Sequence, residues 1–205
     1  MADTWIKFCG CTAWNDVELA IEAGADAFGM IFAPSPRRIS WSAAAAIAEL
    51  VPRSIAAVGV FVNPTEAEVE FVRTLFPRAW LQFCGKERPE FVARYGEHAI
   101  KTIPVERNST PMDVRCDRFP QALLLFDSQR DGMAGGTGRT FAWEHAAPIA
   151  RTRRVVIAGG LTPGNVTECL EATRPFGVDV RSGIETNGRK DSAKMCAFVH
   201  AVRAA

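Results

Sequence analysis

The sequence predicts an α/β protein that folds as a single (β/α)8 barrel, with residues 1–205 forming one domain. Short apolar runs alternate eight times with longer segments of helical pattern. This alternation is typical of parallel strands joined by right-handed βαβ crossovers. Successive repeats lie about 25 residues apart, which leaves no room for a second domain beside a compact TIM barrel.

The predicted strands are largely apolar and do not alternate regularly with charged residues. This is expected when helices cover one face of a parallel sheet and a barrel interior covers the other. The eight runs are residues 6–9, 27–32, 57–62, 80–84, 100–105, 122–127, 155–158 and 177–180.

Amphipathic segments between the strands predict the helices that cover the outside of the barrel. They are residues 14–23, 42–50, 65–76, 89–95, 143–150, 165–173 and 192–204, with a further helix within 110–118. The competing fold is an open doubly wound sheet, which would carry a glycine-rich turn after its first strand. Here that strand ends in Cys9-Gly10-Cys11-Thr12, which favours the barrel.

The composition is that of an ordinary globular protein, with 48% hydrophobic residues, 23% charged residues and a net charge of +1. The charges are scattered, so we expect no nucleic-acid partner. No secretory signal is recognisable, and the apolar runs fall short of the roughly 20 residues that span a bilayer. Six cysteines in such a chain are expected to be reduced thiols, and the protein to be cytoplasmic without a membrane partner.

Two reactive side chains close predicted strands at the end of the barrel where active sites lie. Cys9 ends the first strand, and a thiol can accept a proton if its surroundings lower its pKa; a buried structural cysteine is the equally weighted interpretation. Asp127 ends the sixth strand, where desolvation would raise its pKa and suit a general acid; a capping carboxylate is the alternative. If Cys9 and Asp127 face each other across the C-terminal opening of the barrel, which we call its mouth, a thiol base and a carboxyl acid could together catalyse an aldose–ketose isomerisation.

Glycines after the last two strands predict a phosphate site. Gly159 and Gly160 follow the seventh strand, while Ser182 and Gly183 follow the eighth. Backbone N–H groups at such turns bind anions, and phosphate sites recur there in this barrel, although turn glycines also occur without a ligand. The Gly-rich run 135–140 does not match a P-loop and predicts a loop that closes over a substrate.

Further polar residues lie on the same predicted rim. Arg37 follows the second strand, and its guanidinium could hold a carboxylate or remain a solvated surface group. Asp179 and Arg181 share one face of the eighth strand, so Asp179 could bind sugar hydroxyls or pair with Arg181. Cys84, after the fourth strand, lacks the second CxxC pair or nearby histidine of a zinc site, so we expect no metal.

Taken together, these motifs resemble the phosphoribosylanthranilate isomerase family. The matching segments occur in the family's order over nearly the whole chain. They are residues 7–10, 24–27, 32–38, 58–63, 81–82, 126–128, 135–143, 158–166 and 177–185.

The resemblance implies an Amadori rearrangement of a small phosphorylated substrate in tryptophan biosynthesis, without metal or organic cofactor. It implies that Asp127 protonates the ring oxygen, that Cys9 removes the C2 proton, and that Arg37 holds the anthranilate carboxylate. By the same resemblance the phosphate lies against the loops that contain Gly159, Gly160, Ser182 and Gly183, and we expect a monomer or homodimer.

Three positions depart from the family's usual residues. Phe8 replaces an aliphatic residue, Cys84 a histidine and Arg181 a small residue. Two other functions stay open at this point. One is a related phosphosugar aminoaldose isomerase on the same barrel, which would use a pair of acids; the other is a catalytically silent barrel that binds a phosphorylated ligand.

Overall fold

A computed structural model describes residues 4–105, 116–128 and 143–205. Eight parallel strands close into a barrel in chain order, so the predicted fold is confirmed. Each strand begins and ends within one residue of its predicted bounds. The strands are β1 Trp5–Cys9, β2 Ala27–Ile31, β3 Ala56–Phe61, β4 Trp80–Phe83, β5 Ala99–Val105, β6 Leu123–Ser128, β7 Val155–Ile157 and β8 Gly177–Val180.

The helices also follow the predicted order. They are α1 Trp14–Ala23, α2 Trp41–Leu50, α3 Glu66–Leu75, α4 Pro89–Ala93, α5 Ala147–Ala150, α6 Val166–Thr173 and α7 Ser192–Arg203. Of the helix expected within 110–118, residues 110–115 lie outside the described residues and 116–118 form a turn. Among the described helices, none combines the length and apolar character needed to cross a membrane.

One predicted helix, over residues 143–150, is divided in the structure. Trp143–His145 form a 3-10 turn, and α5 begins only at Ala147. Pro148 lacks the backbone N–H that a continuous helix would require at that position, whereas it is tolerated in the first turn of α5.

A two-stranded ribbon after β8 was not predicted. Its strands, β9 Glu185–Thr186 and β10 Arg189–Lys190, pair antiparallel around Asn187 and Gly188. Both turn residues have positive φ, 49° and 73°, as a type I′ turn requires. Asn-Gly is the strongest short hairpin signal, so the sequence carried the information for this ribbon.

Two apolar cores lie on opposite sides of the barrel wall. The outer core packs strands against helices, with side chains such as Phe28, Phe61 and Phe126 fully or nearly fully buried. The inner core fills the barrel with smaller residues, including Val58 and Leu125. Because strand side chains alternate, a strand such as β3 contributes to both cores, with Phe61 outside and Val58 inside.

The two ends of the barrel interior differ in chemistry. At the N-terminal end Trp5 packs against Phe176 and Trp80, with ring centroids 6.0 and 6.2 Å apart, and Arg154 lies 3.9 Å above the Phe176 ring. Towards the C-terminal end the inward positions become polar. These inward polar residues are Lys7, Cys9, Gln82, Thr102, Asp127 and Asp179.

The outer core is expected to supply much of the stability. Phe28→Ala removes a fully buried ring that packs edge-on against Phe76, so urea unfolding should show a loss of about 3–5 kcal/mol. Phe71→Ala is the matched control because that ring is 42% exposed, and it should cost only a small fraction of this amount. Equal losses in the two variants would contradict the packing described.

Candidate active site

The mouth of the barrel brings the two predicted reactive groups to one space. Cys9 closes β1, and Asp127 is the inward-facing residue near the end of β6. Cys84, just after β4, interacts electrostatically with both of them. The thiol and the carboxyl are therefore both buried at the C-terminal end of the barrel, on strands β1 and β6.

Asp127 has the environment of a general acid. Its Oδ1 is buried and has no hydrogen-bond partner within the described part of the chain. Desolvation raises the pKa of this carboxyl to about 7, reinforced by the charge of Asp179 and opposed by Arg181 and Lys7. The group is thus partly protonated at neutral pH, with an oxygen free for a ligand.

Gly159 allows the loop after β7 to pass beside this acid. A Cβ at that position would lie 2.8 Å from Asp127 Oδ1 and 2.3 Å from Ser128 Oγ, too close for any side chain. Its φ of +83° is also unfavourable for other residues. The glycine therefore sets how closely the loop approaches the acid.

Cys9 has the environment of a thiol that ionises with difficulty. Burial raises its pKa, and the negative charge of Asp179 adds to this shift. Lys7 and Lys190 act in the opposite direction but do not reverse it. The lowered pKa that a thiol base would benefit from is therefore not found, and the thiolate is the minor form at neutral pH.

Asp179 pairs with a residue that the sequence analysis did not single out. Its Oδ1 accepts a hydrogen bond of 2.8 Å from Lys7 Nζ, and both side chains are buried. The alternative pairing with Arg181 is not formed; that side chain instead packs over Gly10 beside Arg37. A lysine inside an apolar strand, two residues before Cys9, was the available signal.

Arg37 lies at the mouth, against the ribbon that follows β8. Its Nη2 is 2.9 Å from Glu185 Oε2, so the charges attract. The N–H directions nevertheless miss that oxygen, and Nη2 has no hydrogen-bond acceptor among the described residues. A hydrogen bond weakens steeply when its angle is poor, so this contact is ionic. Glu185 therefore holds the Arg37 guanidinium in place by charge attraction, while Nη2 keeps an N–H group that can donate to a ligand.

The β9–β10 ribbon links the Arg37–Glu185 ion pair to the backbone of Cys9. Glu185 Oε1 accepts a bond of 3.1 Å from Lys190 Nζ, which also donates to the carbonyl of Cys9 at 2.6 Å. Although burial opposes ionisation of Glu185, Lys190 and Arg37 hold its pKa below the usual range. Sequence reasoning missed Glu185 and Lys190 because the ribbon itself was not predicted.

The loops of the predicted phosphate site lie together. Gly159 and Gly160 both have positive φ, and Asn165 fixes their loop by donating to the Gly160 carbonyl and accepting from the Thr162 N–H. Ser182 and Gly183 begin a 3-10 turn next to that loop, where a Cβ on Gly183 would overlap the Leu161 carbonyl. All four predicted residues therefore belong to two touching loops.

Cys84 belongs to a small polar cluster inside the barrel. Its Sγ lies 3.2 Å from Thr102 Oγ1 and 3.4 Å from Gln82 Nε2. Within residues 4–105, 116–128 and 143–205, no three His, Cys, Asp or Glu side chains are grouped as metal ligands. The loop predicted at 135–140 lies outside the described residues.

The fold is a (β/α)8 barrel, and the comparisons with known proteins give its class, an isomerase. The sequence profile of the N-(5'phosphoribosyl)anthranilate (PRA) isomerase family matches residues 6–201. The chain belongs to this family.

Individual relatives are similar to this chain over almost their full length. The N-(5'-phosphoribosyl)anthranilate isomerase of Desulforudis audaxviator is 40% identical over 202 residues, covering 98% of this chain and 99% of the relative. The crystal structure of the Thermotoga maritima phosphoribosyl anthranilate isomerase superposes with a TM-score of 0.88 at 32% identity, covering 98% and 100%. A phosphoribosyl anthranilate isomerase in complex with reduced 1-(o-carboxyphenylamino)-1-deoxyribulose 5-phosphate gives 0.84 at 31%, with the same coverage.

The raised pKa of Asp127 has a consequence for stability. Because the folded-state pKa of about 7 exceeds the unfolded value near 3.9, the folded state is progressively destabilised as pH rises from 4 to 7. Asp127→Asn removes this cost, so its stability advantage over the wild type should grow across that range, to at most on the order of 4 kcal/mol.

Thermal or urea unfolding between pH 4 and pH 8 checks this expectation. Asp117→Asn is the matched control, since Asp117 is exposed to solvent and should show no such trend. An Asp127→Asn advantage that stays constant with pH would contradict the burial argument.

Proposed function

We propose that this chain converts N-(5-phosphoribosyl)anthranilate to 1-(2-carboxyphenylamino)-1-deoxyribulose 5-phosphate, a step of tryptophan biosynthesis, with Asp127 as general acid and Cys9 as general base. Family membership supports the reaction. The observation that carries the residue roles is the buried Asp127 oxygen, unpartnered in the described structure and with its pKa raised to about 7, on the same mouth as Cys9.

Ring opening is the step assigned to Asp127. The protonated carboxyl gives its proton to the furanose ring oxygen while the bond from C1 to that oxygen breaks. The lone pair of the anthranilate nitrogen forms the C=N bond of an iminium. A carboxyl with a pKa of about 7 supplies this proton at physiological pH.

Proton removal from C2 is the step assigned to Cys9. The thiolate takes the C2 proton, and the C–H electrons form a C1=C2 double bond as the nitrogen recovers its lone pair. The resulting enolamine loses its hydroxyl proton and gains a proton at C1 to become the ketone. Oxidation at C2 balances reduction at C1, so the rearrangement consumes no external oxidant or reductant.

Binding is assigned to the rim. Arg37 would hold the anthranilate carboxylate through the guanidinium nitrogen that has a donor to spare. Gly159, Gly160, Ser182 and Gly183 would bind the phosphate through backbone N–H groups of their adjoining loops. The second carboxylate oxygen of Asp179 would bind sugar hydroxyls while the first remains on Lys7.

We also infer a cytoplasmic monomer or homodimer. The buried thiols of Cys9, Cys11 and Cys169 form no disulfide in the structure, which supports a reducing compartment. Size-exclusion chromatography coupled to light scattering distinguishes the two assembly states.

The assay is direct. Purified protein is mixed with phosphoribosylanthranilate and the loss of the substrate's fluorescence is followed. Cys9→Ser and Asp127→Asn should each lower kcat by about 10²- to 10⁴-fold, since each removes a proton-transfer group. Cys196→Ser alters an exposed thiol and should leave turnover unchanged.

A wild-type protein without turnover, or undiminished turnover in both mouth variants, would overturn the proposal. The related aminoaldose phosphate of the histidine pathway is offered in parallel. Turnover of that compound alone would move the assignment to the alternative isomerase.

The role of Arg37 is tested against its neighbour. Arg37→Ala should raise KM for phosphoribosylanthranilate at least tenfold, because it removes a charged donor to the carboxylate. Arg38→Ala is the matched control, since that side chain is exposed, and its KM should stay within twofold of the wild type. Similar KM values in both variants would mean that the anthranilate carboxylate does not bind to Arg37.

A further inference from the structure

A charged lysine lies inside the barrel where an apolar residue would pack at lower cost. Lys7 is fully buried in β1, two residues before Cys9 and on the same inward face. Its Nζ is 2.8 Å from Asp179 Oδ1 on the neighbouring strand β8. A buried ion pair of this kind is weak evidence for a stabilising role, because its desolvation cost offsets much of its attraction.

The neighbouring strand leaves room for this lysine to meet the thiol. Gly29 of β2 is the register partner of Cys9. A Cβ on Gly29 would lie 3.1 Å from Lys7 Nζ and also 3.1 Å from Cys9 Sγ. The ammonium and the sulfur therefore share the small space that the missing side chain leaves open.

We propose that Lys7 is a positioning residue for the base: clamped by Asp179, it directs its ammonium at Cys9 Sγ and stabilises the thiolate that removes the substrate proton. This inference rests on the proposed function, because it concerns the base of that reaction. It gives a function to the buried Lys7–Asp179 ion pair, which takes no part in the proton transfers assigned to Asp127 and Cys9.

The other charges around Cys9 single out Lys7 for this task. Lys190 of β10 approaches the thiol too, but its Nζ is committed to the Cys9 carbonyl and to Glu185. Asp179 raises the pKa of Cys9, and Cys84 and Asp127 lie across the mouth. Asp179 also raises the pKa of Lys7 against the effect of burial, so the ammonium stays charged throughout the working pH range.

The effect on catalysis follows from the order of the two pKa values. The reactive state needs Asp127 protonated and Cys9 ionised, although Asp127 is the stronger acid of the two. Activity should therefore rise up to pH of about 7, stay level, and fall above the thiol pKa. Every unit by which the thiol pKa rises should lower the plateau of kcat/KM tenfold.

The thiol itself is measured first, without turnover. Cys9 is alkylated with iodoacetamide at a series of pH values and its modification is followed by peptide mass spectrometry. The variants are Lys7→Met and Lys7→Met with Asp179→Asn, the second of which leaves no unpaired buried carboxylate. Cys196, exposed on the same chain, is the internal reference.

We expect the Cys9 midpoint to move at least one pH unit higher in Lys7→Met, and to move in the same direction in the double variant, while the Cys196 midpoint stays unchanged. Lys101→Met with Glu87→Gln is the matched control. It removes another buried ion pair, 2.6 Å between Nζ and Oε2, that does not face the thiol, and it should leave Cys9 unchanged.

The pH profile of kcat/KM is then compared with the alkylation curves. In Lys7→Met the alkaline limb should move with the thiol midpoint, and the plateau should fall by the same factor. The double variant is compared by the position of its alkaline limb alone, because Asp179 is also assigned to the sugar hydroxyls. A purely structural pair would lower thermal stability and leave both midpoints in place. Unchanged Cys9 midpoints in both Lys7 variants would overturn the inference, even with normal wild-type turnover.

The two proposals fail separately. If the wild type does not turn over phosphoribosylanthranilate, the proposed function is wrong, and the alkylation curves still decide whether Lys7 stabilises the thiolate. If turnover and its loss in Cys9→Ser are both observed, the function stands whatever the Lys7 variants show.

Discussion

Closure of the eight-stranded sheet is the constraint on which the site depends. In a closed barrel every second side chain of each strand must point inwards, where little water remains. Small apolar residues satisfy this requirement in the lower part, and aromatic rings close the N-terminal end. The polar residues of the upper part have no comparable packing, so desolvation and pairing with one another determine their ionisation.

Desolvation has opposite consequences for the two proposed catalytic groups. It favours the neutral form of both, which makes Asp127 a usable proton donor and makes Cys9 a reluctant base. A barrel that buries both groups therefore needs a local positive charge on the thiol side. Lys7 fills that requirement in our scheme, and Asp179 keeps the lysine charged despite its burial.

The ribbon after β8 ties the rim to the same centre. Glu185 contacts Arg37 on one side and Lys190 on the other, and Lys190 bonds the carbonyl of Cys9. The proposed carboxylate anchor and the proposed base are thus linked by a short series of ionic contacts. Arg181 adds positive charge beside them and lowers the pKa of Asp127 from what burial alone would give.

Local sequence determined the strands and the positions of Cys9 and Asp127 at their ends, because a strand buried on both faces is a nearly continuous apolar run. The Asn187-Gly188 turn was equally local, and the ribbon could have been predicted from it. The partners and ionisation of these groups were decided only by the tertiary structure. Lys7 and Asp179 are 172 residues apart, and Lys190 and Cys9 are 181 residues apart, so no local pattern encodes these contacts. The pKa shifts of Lys7 and Cys9 arise from burial and from charges that meet only when β8 closes against β1.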